Sequence, residues 1–173
     1  MSITESIKQA IQRGIEAVTL KPAVGLGKDT MLIETDEHCV ARITDGDTSF
    51  KIDLGEAFGG DATTPSAGQY ARAALGACLA QSYIVWAAHE DVTINKVSVE
   101  IQAEYDIRGN LGIDSKVRSG ITALHYVVRV ESPEDPQTIQ RLIDLSDERD
   151  YVLDIFAGAL QPTREIHISP VTG

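Results

Sequence analysis

Apolar side chains change their spacing repeatedly along this chain, and each change marks an element. Ile3, Ile7, Ala10, Ile11, Ile15 and Val18 recur at helical spacing behind the capping-type start Ser2-Ile3-Thr4-Glu5, which predicts an amphipathic N-terminal helix. Lys21 to Lys28, with Pro22, Gly25 and Gly27, reads as a linker. Met31 to Thr44 then alternates as a strand, Asp45-Gly46-Asp47-Thr48 is a turn signal, and Ser49 to Leu54 completes a hairpin. The alternation puts Cys39, Ala41 and Ile43 on one face, so Cys39 is expected in the core.

The pattern changes again at Ser66. From there to His89 the only full charge is Arg72, and a helix apolar on every side is expected to be buried. Gly76, Ala73, Ala77 and Ala80 form a small-residue stripe that lets another backbone approach, and Ser66-x-x-Gln69 has the form of a capping box. Arg72 and Gln81 interrupt the run, which argues against a bilayer span. Val92 to Ile107 and Ile121 to Glu131 read as long strands separated by the turn Arg108 to Gly112 and a polar loop. Pro136 opens a helix through Ile139, Leu142, Ile143 and Leu145, Asp150 to Gly158 a second short one, and Arg164 to Ser169 a closing strand. This order predicts an α+β fold with helices against a mainly antiparallel sheet.

Composition narrows the function classes. A chain of 173 residues suits one domain, and 15 Lys and Arg against 26 Asp and Glu give a net charge of -11, which disfavours nucleic acid and anionic membrane surfaces as partners. Met1 to Ser6 carries no charged stretch leading into an apolar one, so a cytoplasmic location is expected. Cys39 and Cys78 form no CxxC pair, and His38, His89, His125 and His167 are scattered, so neither a disulfide, a metal nor another cofactor is expected.

Cys78 carries the most chemistry. Pro65-Ser66-Ala67-Gly68-Gln69 ahead of Ala73-Ala74-Leu75-Gly76-Ala77-Cys78-Leu79 resembles the signature of the OsmC/Ohr superfamily. The resemblance implies an OsmC-like fold over residues 29–173, with the helix and linker of residues 1–28 outside it, and a mainly antiparallel sheet around a long buried central helix. It also implies an intertwined homodimer with its sites at the subunit interface. The implied chemistry is reduction of organic hydroperoxides by a peroxidatic cysteine, which becomes a sulfenic acid and is resolved by a second cysteine.

Cys78 falls on the peroxidatic position, but the second cysteine aligns with Asp150, so the resemblance implies an external thiol or dithiol reductant. The family's Glu falls on Gly68, beside Gln69. Its Arg has Arg42 as nearest counterpart, ahead of Lys28 and Arg72. Two readings stand together at this point. Cys78 is either a single reactive thiol meeting organic hydroperoxide, with Gln69 and Arg42 as its helpers, or a buried space-filler among Ala74, Leu75, Ser82 and Val85. In the second case the protein is a noncatalytic dimer binding a small apolar ligand at its interface. Tyr83 and Trp86 are candidate walls of an apolar pocket for an alkyl hydroperoxide, with core packing as the alternative. Asp144, Asp147, Glu148, Asp150 and Asp154 read as a solvated face.

Overall fold

In the computed structural model, which describes residues 2–35 and 39–158, a long helix is packed between a two-stranded ladder and a pair of short helices. The order is α1 (Ile3–Leu20), β1 (Leu32–Thr35), β2 (Ala41–Asp45), β3 (Thr48–Ile52), α2 (Ala67–His89), β4 (Lys96–Tyr105), α3 (Ile107–Asn110), β5 (Ile121–Glu131), α4 (Pro136–Asp147) and α5 (Tyr151–Ala157). This is the expected α+β arrangement. The closing strand expected at Arg164 to Ser169 lies outside the described residues.

Antiparallel pairing of β4 with β5 runs from Lys96 opposite Glu131 to Tyr105 opposite Ile121. Side chains alternate across a strand, so Val97, Val99 and Ile101 share a face with their partners Val130, Val128 and Tyr126. That face meets α2, where Leu75, Leu79 and Tyr83, four residues apart on one stripe, are fully buried. Ile143 of α4 and Val152, Leu153 and Phe156 of α5 close the core from the other side. Gly76 eases the approach of the helix to β4: a Cβ on it would sit 3.2 Å from Ile101 Cγ1, closer than ordinary contact, and the Ile101 side chain would have to give way slightly.

β1, β2 and β3 form a separate antiparallel sheet in that order. The two-residue turn between β2 and β3 uses Gly46 at φ 55°, a conformation glycine adopts without steric cost. The sheet meets the start of α2 through Phe50, whose ring centroid lies 5.6 Å from that of Tyr70, and through the Tyr70 hydroxyl, which donates to the Lys51 carbonyl at 3.2 Å. α1, capped by the Ser2 hydroxyl on the Glu5 N–H at 3.2 Å, packs along α2 and is tied to its far end by an ion pair between Lys8 and Asp91.

Four expectations need correction. The stretch Met31 to Thr44 is two strands rather than one: Thr35 pairs directly with Ala41, so the chain reverses between them. The polar run Asp36-Glu37-His38 interrupts the alternation there. Cys39 accordingly lies outside the strand, exposed and at φ 58°, and is not a core residue. The strand expected from Val92 begins only at Lys96, and part of the expected turn is the short helix α3, whose Arg108 N–H is capped by Asp106.

α2 is the long central helix expected, with Leu75, Leu79 and Tyr83 fully buried. Its sequence is apolar on all sides, yet within one chain only one side is covered, and Ala73, Ala74, Ala77 and Gln81 stay exposed. Large apolar side chains are also open on the hairpin sheet, with Leu32 57% and Ile33 55% exposed.

Because Leu79 sits with no exposed surface between sheet and helices, Leu79→Ala is expected to destabilise the protein by about 2–5 kcal/mol. Urea denaturation should show this as a lower midpoint with little change in slope.

Candidate functional site

Cys78 lies one residue before the buried Leu79 on α2 and is half-buried against the turn that joins α4 to α5. That turn, Glu148, Arg149 and Asp150, is short and polar and follows Ser146 and Asp147 at the end of α4. The Tyr83 hydroxyl donates to Asp147 Oδ1 at 2.8 Å and the Tyr126 hydroxyl to Oδ2 at 2.7 Å, so one carboxylate takes a hydrogen bond from α2 and another from β5. Hydroxyls placed in a packed interior need an acceptor, and Asp147 supplies it for both.

Asp150 is only 3% exposed. Its Oδ1 caps α5 by accepting from the Leu153 N–H at 2.8 Å, while Oδ2 is shielded from solvent and takes no hydrogen bond. The same carboxylate faces the Cys78 thiol. The residue aligned with a resolving cysteine is thus next to Cys78, as a carboxylate.

Electrostatics at the thiol follow from this placement. Burial pushes the Cys78 thiol above its ordinary value, the Asp150 carboxylate pushes it further by its polar contact and its charge, and the N–H groups of Val152 and Tyr151 pull in the opposite direction. A negative charge facing sulfur disfavours thiolate, so the site holds Cys78 as thiol at neutral pH. Burial, then Asp147, likewise raises the tyrosines: Tyr126 is pushed up to about 12 and Tyr83 higher still.

The other candidates fall elsewhere. Gln69 completes the capping box, its amide oxygen accepting from the Ser66 N–H at 2.8 Å and the Ser66 hydroxyl at 3.0 Å. That oxygen is engaged at the helix start. Arg42 is exposed on β2, opposite Glu34 and Lys51, and lines a cavity of about 330 Å³ with Ile43, Phe50 and Lys51; it is not among the leading influences on Cys78. Tyr83 belongs to the core, and the Trp86 ring is covered by the Arg149 guanidinium at 5.1 Å, so neither forms an open apolar wall. A second cavity of about 310 Å³ opens between α1 and the end of α2, lined by Lys8, Ile84, Asp91 and Ile94 among others, away from Cys78. No group of three or more metal-ligating side chains occurs among the described residues. None of the helices there is long and apolar enough to cross a membrane.

The acidic run is the larger correction to the sequence reading. Asp147 and Asp150 turn inward rather than forming part of a solvated face, because each has a task there, one with the tyrosines and one with α5. Tyr83 in an otherwise apolar helix was the available signal, since its hydroxyl had to find a polar partner. Asp53 was also missed: buried, it accepts from the Leu54 N–H at 2.7 Å and from the Thr63 N–H and hydroxyl at 2.8 Å each, closing the loop that leads into α2. The Thr63 contacts hold its carboxyl below the usual value.

A family model described as OsmC-like protein matches residues 59–163, more than half of the chain. No curated protein sequence matches. Among solved structures, an OsmC-like protein from Mycoplasma pneumoniae is similar at 15% identity and TM-score 0.65, over 76% of this chain and 89% of that one. An organic hydroperoxide resistance protein OsmC from Legionella pneumophila is similar at 13% identity and TM-score 0.55, over 77% and 91%. The organic hydroperoxide resistance protein OhrB of Bacillus subtilis follows at 17% identity and TM-score 0.52, over 76% and 92%. At these identities the likeness is one of fold.

In a Cys39→Ser background, pH-dependent alkylation should give Cys78 a pKa above that of a free thiol, and Asp150→Asn should lower it. The sign carries to stability. A raised thiol favours the fold fully below the ordinary value, and that contribution is lost as pH rises through the folded one. A Cys78 pKa at or below the free thiol's would contradict the placement of Asp150.

Proposed function

The chain belongs to the OsmC-like protein family, and we propose that within it the protein is a one-cysteine, peroxide-responsive thiol protein. In this reading Cys78 takes an oxygen from an organic hydroperoxide, and an external thiol or dithiol restores it. The observation that carries the reading is the Cys78 environment: a half-buried sulfur on the central helix, touched by backbone N–H groups and a lone carboxylate where a second sulfur would stand. Family membership and fold neighbours named for hydroperoxide resistance agree with it. Among the described residues of one chain no cation is among the main influences on the Cys78 thiol, and turnover is slow. A cytoplasmic setting, which supplies small thiols, belongs to the same proposal.

So does a homodimer. The open small-residue side of α2 and the exposed Leu32 and Ile33 are apolar surfaces of the kind a second copy covers. Residues 1–28 form an appended arm and residues 29–173 the OsmC-like domain.

One observation favours a second reading. A thiol pushed up by burial and by Asp150 is what a noncatalytic dimer would carry, its interface serving a small apolar ligand.

Peroxide consumption separates the two. With a dithiol reductant, the wild type is expected to consume cumene hydroperoxide slowly but above background, and Cys78→Ser to lose that excess. Equal rates would leave the noncatalytic reading, which predicts a rise in melting temperature with a small apolar ligand instead. Sedimentation should give a dimer, and Ala77→Arg, which places a charge on the open side of α2, should shift it to monomer. A monomeric wild type would remove the dimer from the proposal.

A further inference from the structure

Asp150 Oδ2 is a buried acceptor without a donor: the nearby Ser146 hydroxyl, also buried, makes no hydrogen bond to it, and the other polar groups around it are committed elsewhere. The Tyr83 and Tyr126 hydroxyls are on Asp147, the Arg149 guanidinium lies on the Leu145 carbonyl at 2.8 Å and over the Trp86 ring, and the Leu153 N–H is on Oδ1. What faces Asp150 is the Cys78 sulfur. A thiol is a weak donor: its polar contact with the Asp150 carboxylate raises the thiol but falls short of hydrogen-bond geometry at Oδ2. A sulfenic acid adds an oxygen to that side chain and ends in a strong O–H donor.

We propose that the site is built to keep Cys78 as a persistent sulfenic acid, with its O–H donated to Asp150 Oδ2. This rests on the reading above that Cys78 meets hydroperoxide. In the forming step the S–O bond is made as the peroxide O–O bond breaks, sulfur gives up two electrons, and the leaving alkoxide departs as alcohol with the thiol proton. A second cysteine would then expel water and form a disulfide. Asp150 cannot do this; it gives the new O–H a partner instead.

The carboxylate also protects the product. Further oxidation to sulfinic acid proceeds through attack by the deprotonated sulfenate on another hydroperoxide, and a facing negative charge keeps the proton in place. Return needs an outside thiol: its sulfur attacks Cys78, water leaves, and a mixed disulfide forms. A second thiol then releases Cys78 as thiol and carries away the disulfide. The protein therefore records a hydroperoxide and holds the record until a thiol clears it.

The test treats the Cys39→Ser protein with cumene hydroperoxide without reductant and follows intact mass, dimedone labelling and free thiol together. The expected result is a gain of one oxygen on Cys78 that is dimedone-reactive and stable, while Asp150→Asn proceeds to two oxygens severalfold faster. Asp150→Ser, which keeps a capping oxygen on α5 but removes the carboxylate, should behave like Asp150→Asn and covers the case in which one variant folds poorly. Equal rates of second oxidation in parent and variants would overturn the proposal, as would direct conversion to two oxygens or to a water-loss product in the parent. Thiol titration tells the failures apart. A Cys78 thiol never consumed by excess hydroperoxide overturns the functional reading and this inference with it, whereas a thiol consumed without a lasting single-oxygen product overturns this inference alone.

Discussion

Two tyrosine hydroxyls on one carboxylate hold the chemistry of this molecule in place. Tyr83 comes from the central helix and Tyr126 from the sheet, and both end on Asp147 at the close of α4. Loss of either would leave buried polar atoms unpaired, at about 1–3 kcal/mol each. The three layers are therefore registered to one another at a single point. Three residues on, Asp150 inherits that registration and meets Cys78 as it starts α5.

The same constraint explains why a carboxylate fits the position facing Cys78. The helix-turn-helix of α4 and α5 needs a residue at its inner corner that caps the second helix, and a carboxylate does this well. The carboxylate then changes what the sulfur can do. It favours the protonated thiol, removes the possibility of an internal disulfide, and brings an acceptor where a resolving nucleophile would stand.

Much of this fold was legible in the residues because most elements have strong periods. The alternation of Val97, Val99 and Ile101, the apolar run after Ser66 and the helix after Pro136 each match one structure and no other. The Ala-Ala-Leu-Gly-x-Cys core marked both family and candidate sulfur. What stayed hidden depended on contacts between distant segments. Asp147 and Asp150 look like surface charges until the tyrosines opposite them are placed, and alternation around Cys39 looked like one strand because pairing partners, not local pattern, decide where a chain reverses. Arg42 shows the same limit: its alternation identifies a strand, while its relation to Cys78 depends on how separate sheets are assembled.

Asp150 has two differently placed oxygens, one capping α5 and one buried without a hydrogen bond, and a change at this position acts on both. A change to cysteine would supply a second sulfur but would take the Oδ1 cap from the Leu153 N–H in the same stroke. A substitution that alters the chemistry facing Cys78 therefore also alters the stability of the helix that borders it.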